Sequence, residues 1–248
     1  MKKKTQEINL IIKICRRNSP EDEAYWQEIP FSSQDPTVTV ASALIQMNGN
    51  PDLVDVRGQK VGRIAWECSC LQKKCGACAM VINGQPGLAC DSFLRNYQKK
   101  GQVVLEPLKK FPLVRDLLVD RSILYENLRT LRLWLQEEVR VADKDNEVTY
   151  QASRCLQCGC CLEVCPNFAP GGDFYGAPGF VVSSRLLPNL SGPELDRLKK
   201  DYLDHEYAGC GKSLACAKIC PAGIPTEELL VNSNAIALSK RIAKGRKK

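Results

Sequence analysis

The sequence predicts an α+β chain of two domains, a small α+β domain over residues 1–106 and a nearly all-α domain over residues 107–248. Three observations carry that expectation. Apolar residues alternate at period two near the start, they recur at spacings of three and four beyond Pro112, and the cysteines gather in runs at 70–90, 155–165 and 210–220. A chain of 248 residues has room for two domains of ordinary size.

Ile8, Leu10, Ile12 and Ile14 share one face of a period-two stretch, which predicts a half-buried strand over residues 8–15. A second short strand is expected from Tyr25 to Phe31. Asp35 and Pro36 turn the chain into a helix, where Val40, Ala43, Leu44 and Met47 recur at helical spacing, and Gly49 with Pro51 ends it. The stretch from Val54 to Trp66 is mixed in character and places no strand. Asn83 and Gly84 form a primed-turn hairpin signal, and Val103 to Glu106 reads as a closing strand stopped by Pro107. Farther on, Leu117, Leu118, Leu124, Leu128, Leu131, Trp134 and Leu135 recur at three and four, with Asp116, Asp120, Arg121, Glu126 and Arg129 between them. That predicts an amphipathic helical region. The remainder alternates helical patterns with turns such as Ala169–Gly172 and Gly176–Gly179.

Net charge is +7, but it sits at the ends. Lys2, Lys3, Lys4, Lys240, Arg241, Lys244, Arg246, Lys247 and Lys248 account for nine of the 35 basic residues. The body without them lies two charges to the acidic side of its 28 Asp and Glu. Nucleic-acid binders cluster basic charge on a folded face, so no nucleic-acid partner is expected. The tails read as solvated, or, in a functional reading, as resting near anionic lipid headgroups. No apolar run approaches the ~18 residues of a membrane span. The first residues show no apolar signal core, so a reducing compartment is expected, where disulfides are rare. Fourteen cysteines there point to metal.

Cys155, Cys158, Cys161, Cys165 and Pro166 spell C-x2-C-x2-C-x3-C-P, the bacterial-type spacing for iron–sulfur clusters. In two-cluster proteins the fourth cysteine of such a run crosses to the other cluster. The partner run is Cys210-x5-Cys216-x3-Cys220-Pro221. The reciprocal assignment gives Cys155, Cys158, Cys161 and Cys220 to a [4Fe–4S] cluster. Cys165, Cys210 and Cys216 remain for the other, with Ser213 where a fourth cysteine would stand, and three thiolates suit a [3Fe–4S] cluster. Cys70, Cys75, Cys78 and Cys90 follow the plant-type C-x4-C-x2-C…C spacing of a [2Fe–2S] cluster, and Gly76 and Ala77 are small enough to let backbone approach it. Zinc is the competing reading. A four-residue loop with one distant fourth ligand fits a zinc ribbon poorly, and zinc does not explain a proline after the last cysteine of both later runs. Cys15 reads as a small hydrophobe on a strand. Cys68 and Cys160 stand out of register beside the ligands, and His205, the single histidine, reads as structural. No paired carboxylates, nucleophile–base pair, phosphate loop or dinucleotide fingerprint appears, so no catalytic residue is assigned.

One plant-type domain joined to a two-cluster domain is a specific combination. Cys70–Met80 (CLQKKCGACAM), Gly87–Cys90, Leu105–Leu108, Pro112–Ser122, the Cys155 run and Cys210–Pro225 carry a resemblance to the iron–sulfur subunit of succinate dehydrogenase and fumarate reductase, over essentially the whole chain. The resemblance implies a β-grasp ferredoxin domain followed by a helical ferredoxin domain. It also implies a flavoprotein partner holding FAD and the dicarboxylate site, and one or more membrane anchor subunits, haem b among their expected companions. Electrons would pass between flavin and quinone through [2Fe–2S], [4Fe–4S] and [3Fe–4S] clusters, with the chain peripheral on the cytoplasmic face of the cell membrane. Family members working with ubiquinone commonly carry two tryptophans just after the first Cys-Pro. Here Pro166, Asn167 and Phe168 lead to Ala169 and Pro170, so menaquinone is the expected carrier, with Pro166, Phe168 and Ala169 in the quinone vicinity. A related fumarate reductase with another electron donor is the nearer alternative. A zinc-binding nucleic-acid module, or a self-contained iron–sulfur hydratase or radical enzyme, is the remote one.

Overall fold

The structure, a computed structural model, describes residues 7–135 and 146–245. The chain divides into two compact units, residues 1–120 and 121–248.

In the first unit, strand β1 (Ile8–Arg16) turns Ile8, Leu10, Ile12 and Ile14 inward, the face that period two predicts. It pairs antiparallel with β2 (Tyr25–Ser33) and parallel with β5 (Gln102–Glu106). Strands β3 (Ala79–Ile82) and β4 (Gln85–Leu88) complete a five-stranded mixed sheet of order β2-β1-β5-β3-β4. Asn83 and Gly84 join β3 to β4 with φ of 48° and 80°, the left-handed pair of a primed turn. Helix α1 (Val40–Gly49) is capped by Thr39, whose Oγ1 accepts the Ser42 N–H at 3.1 Å, and it buries Val40, Ala43, Leu44 and Met47. A mixed sheet with one helix laid against it is the β-grasp arrangement. Residues 54–66, which the pattern left unassigned, are an irregular loop with a single bridge between Val54 and Lys60.

Residues 107–120 depart from the sequence reading. They were expected to open the helical domain, yet β6 (Leu113–Arg115) and β7 (Leu118–Val119) make a two-stranded ribbon inside the first unit. The cause is Asp116, in left-handed backbone at φ 47° and 1% exposed. Its carboxylate accepts from Arg16 Nε at 2.9 Å, Arg17 N at 3.1 Å and Ala65 N at 2.8 Å. Arg16 ends β1 and is itself 2% exposed. A buried ion pair with hydrogen bonds to both carboxylate oxygens outweighs the local helical periodicity of Leu117 and Leu118.

The second unit is nearly all-α: α2 (Ser122–Thr130), α3 (Asn146–Ser153), the short α4 (Cys160–Glu163), α5 (Ala177–Leu186), α6 (Gly192–Tyr202), α7 (Ala215–Ile219) and α8 (Thr226–Gly245). A widened turn, Leu203–Tyr207, continues α6. Phe180 and Val181 of α5, Leu198 and Tyr202 of α6, and Leu229 and Leu230 of α8 form its core. Leu124 and Leu131 are buried as the helical spacing predicts, whereas Trp134 and Leu135 lie 50% and 47% exposed, past the end of α2. Among the described residues no helix is long and apolar enough to cross a membrane. The basic side chains at Lys2–Lys4 and Lys240–Lys248 lie outside the described residues.

Candidate metal centres

Between α1 and β3 the chain makes a tight loop in which Leu71, Lys73 and Gly76 take positive φ of 55°, 59° and 76°. That backbone points consecutive N–H groups inward, as anion-binding nests do. The N–H of Gln72 donates to Cys70 Sγ at 3.3 Å, that of Lys74 to the same sulfur at 3.4 Å, that of Lys73 to Cys90 Sγ at 3.3 Å, and that of Ala77 to Cys75 Sγ at 3.5 Å. The backbone bonds from Gln72 and Lys74, with one from the Cys75 side chain, bring the Cys70 thiol down to about 7. Burial pushes Cys78 up to about 12, and Cys78 also hydrogen-bonds with Cys90. Cys90 arrives on the single turn after β4, where Ala89 N–H donates to Cys78 O at 3.1 Å. All four expected thiols therefore meet at one loop, and Gly76 supplies a conformation that a side chain there would strain.

In the second unit Cys155, Cys158 and Cys161 surround the entry to α4, where Gln157 and Gly159 have φ of 50° and 85°. Burial pushes Cys155 up to about 11, with Cys158 and Cys220 adding to the rise, and it pushes the half-buried Cys161 well above its usual value. Cys158 is pulled down to about 7, first by a hydrogen bond from the Cys160 thiol, with the Arg121 charge assisting. Arg121 also donates to Cys158 O at 3.3 Å, and Gln157 Nε2 to Cys155 Sγ at 3.5 Å. Around the other group, burial raises Cys216, and Cys165 and Cys210 lie close enough to raise it further. So Cys220 lies near Cys155 and Cys161, and Cys216 lies near Cys165 and Cys210 while also standing close enough to Cys161 to act on it. Ser213 is exposed, between left-handed Lys212 and Leu214, and its Oγ accepts the Ala215 N–H at 3.5 Å.

Among the described residues no three Cys, His, Asp or Glu side chains converge to hold one metal ion. Thiolates of a cluster bind different irons and need not converge on one point. The donor set fits iron–sulfur clusters in a further way. Buried thiols with raised pKa are costly as free thiolates, and ligation offsets that cost by replacing the proton with iron. Of the other sequence candidates, Phe168 is buried while Pro166, Ala169 and Pro170 are exposed. Cys15 is half-buried, Cys68 exposed and Cys160 fully buried. His205 stacks on Tyr175 with ring centroids 4.4 Å apart and hydrogen-bonds Asp173 O through Nδ1 at 2.8 Å, a structural role. Spacing alone missed Arg121, Gln157, Thr226 and Glu206, because their relation to the cysteines is set by folding and not by register. Arg121 and Gln157 fell inside stretches that carried the resemblance, whereas Thr226 and Glu206 did not.

The fold and these centres define a two-domain ferredoxin-type iron–sulfur protein. Residues 11–126 match a family model described as a 2Fe-2S iron-sulfur cluster binding domain, and residues 151–224 one described as a 4Fe-4S dicluster domain. The chain is 35% identical over 219 residues to the succinate dehydrogenase iron-sulfur subunit of Bacillus subtilis, covering 84% of this chain and 83% of that one. It is 32% identical over 227 residues to the fumarate reductase iron-sulfur subunit of Escherichia coli O157:H7, covering 86% of each. A chain of the Mycobacterium smegmatis Sdh1 complex in the apo form has the same fold, with a TM-score of 0.71 at 20% identity over 95% of this chain and 98% of that one. This chain belongs to the family of succinate dehydrogenase and fumarate reductase iron–sulfur subunits, and is the iron–sulfur subunit of an oxidoreductase. The cofactor set of that family is one [2Fe–2S], one [4Fe–4S] and one [3Fe–4S] cluster.

Proposed function

We propose that this chain relays electrons between the FAD of a flavoprotein subunit and a quinone held at a membrane anchor, in a succinate:quinone oxidoreductase. Cys70, Cys75, Cys78 and Cys90 would hold the [2Fe–2S] cluster, Cys155, Cys158, Cys161 and Cys220 the [4Fe–4S] cluster, and Cys165, Cys210 and Cys216 the [3Fe–4S] cluster, with its vacant corner toward Ser213. When bound, the clusters supply one-electron carriers in series. The single observation that supports this most is the arrangement in the second unit, where Cys220 lies near Cys155 and Cys161 and Cys216 near Cys165 and Cys210, with Cys161 and Cys216 close to each other. Cys161 and Cys165 are four residues apart, so serving different clusters makes those clusters neighbours, as electron transfer requires. The chain's own task is to present thiolates, to direct backbone N–H groups at them and to keep water from the buried sulfurs. Menaquinone is the expected carrier, and the chain is expected to sit peripherally on the cytoplasmic face, with haem b in the anchor.

The test is iron and spin content of the anaerobically purified complex. About nine irons per chain are expected, with three distinct paramagnetic signals on stepwise reduction, one already present in the oxidised protein. Stoichiometric zinc, or only one cluster type, overturns the reading.

A further inference from the structure

Helix α8 opens at Thr226, a residue that is 2% exposed. Thr226 is the first helical residue, after Pro225, whose carbonyl accepts the first bond of the helix, so its hydroxyl is not committed to the cap. Oγ1 points at Cys216 Sγ, 3.8 Å away, a long contact suited to the large sulfur atom. A buried hydroxyl needs a partner, and a metal-bound thiolate carries no proton, so in the loaded protein the hydroxyl is the donor and the sulfur the acceptor. The neighbouring turn holds the geometry: Thr226 N–H donates to Ile224 O at 2.8 Å and Leu229 N–H to Pro225 O at 3.1 Å.

We propose that Thr226 is a positioning residue for the electron-transfer reaction, its hydroxyl donating a hydrogen bond to Cys216 Sγ that raises the reduction potential of the three-thiolate cluster. The inference rests on the assignment of Cys165, Cys210 and Cys216 to that cluster. The physical cause is charge. Reduction adds an electron that is shared with the sulfurs, a donor at sulfur stabilises the electron-rich form more than the oxidised one, and hydrogen bonds to sulfur are among the levers that set cluster potentials. Most donors around the other two centres belong to backbone or to the same cysteine loop. Thr226 reaches Cys216 from the start of the long α8, so packing of that helix bears on this hydrogen bond.

The experiment is a redox titration of the assembled complex, followed by electron paramagnetic resonance, for the parent, Thr226→Val and Thr226→Ser. Valine keeps the shape and removes the donor, whereas serine keeps the donor. Thr226→Val is expected to lower the equilibrium constant for reduction of the three-thiolate cluster roughly three- to tenfold, about 30 to 60 mV at 59 mV per tenfold for one electron. The [2Fe–2S] potential is expected to stay unchanged, and Thr226→Ser to restore most of the shift. Equal midpoints in the parent and Thr226→Val overturn the inference, as does a shift of the same size in Thr226→Ser. If Thr226→Val does not assemble its clusters, Thr226→Ala removes the same donor with less bulk and is read by the same criterion. Loss in Thr226→Val of an exchangeable proton coupled to that cluster, observed in the parent and in Thr226→Ser, is a second expected result, and its persistence in Thr226→Val counts against the donor. A parent complex without any three-iron signal overturns the underlying ligand assignment, an outcome distinct from an unchanged midpoint.

Discussion

Glu206 is fully buried, and neither carboxylate oxygen has a hydrogen-bond partner among the described residues. Burial, and then the neighbouring Cys210 and Cys165 sulfurs, push its carboxyl well above the ordinary value of 4.5. The residue sits in the widened turn after α6 with Gly179 of α5 against it, and a methyl group at Gly179 would land on Oε1. Nothing in the local sequence separates Glu206 from its neighbours Asp204 and His205. Its burial follows from a turn one residue wider than an α-helix, which rotates it inward. Because the folded protein keeps a proton that the unfolded chain has released, the contribution of Glu206 to stability is whole below pH 4.5 and is lost as pH rises toward the folded pKa. Glu206→Gln keeps the shape and abolishes the titration. Its stability relative to the parent should therefore increase with pH, by at most about 1.4 kcal/mol per pH unit. Denaturant unfolding of both proteins at several pH values between about 6 and 8 checks this, and a gap that stays constant counts against a buried neutral acid.

At the scale of elements, the ribbon β6–β7 depends on one carboxylate. Arg16 and Asp116 are both buried, at 2% and 0% side-chain exposure, so removing the acid leaves a guanidinium without its counter-charge. Breaking such a pair costs about 3–5 kcal/mol. Asp116→Ala should destabilise the first unit by that order, and Asp116→Asn by less, since an amide oxygen still accepts from Arg17 N and Arg16 Nε. Chemical unfolding followed by circular dichroism measures it. A loss below about 1 kcal/mol would mean that the pair is solvated in practice. The same ribbon marks where sequence reading stops. Local signals were legible wherever they act locally: the alternation of β1, the helical spacing of α1, the Asn83-Gly84 turn and the loop spacings of the cysteines. Leu117 and Leu118 fit a helical period, and only a partner a hundred positions earlier, Arg16, selects the ribbon instead. The donors to the cysteines divide the same way. Gly76 and Ala77 were legible as small loop residues, whereas Arg121 reaches Cys158 O and Thr226 reaches Cys216 Sγ through tertiary folding.

For the molecule as a whole, the proposed relay would leave the second unit beside the Cys165 loop. After Cys165 the chain exposes Pro166, buries Phe168 and exposes Ala169 and Pro170. Neither Ala169 nor Pro170 offers a side-chain N–H to a quinone carbonyl, and neither offers an aromatic face to stack on. The tryptophan pair that the family resemblance associates with ubiquinone is thus replaced by two small, hydrogen-bond-poor side chains. Under the proposed function, a quinone beside this loop would take its polar contacts from the anchor. Under that arrangement the complex should favour a menaquinone. Steady-state assays of the purified complex with menaquinone and ubiquinone analogues of equal tail length should show several-fold higher kcat/KM for the menaquinone, each such ratio reading directly as a difference in transition-state stabilisation. Restoring indoles with Ala169→Trp and Pro170→Trp should shift the ratio toward ubiquinone if the loop lines the site. Preference for the ubiquinone analogue in both directions of the reaction by the parent complex would show that Ala169 and Pro170 do not set the choice.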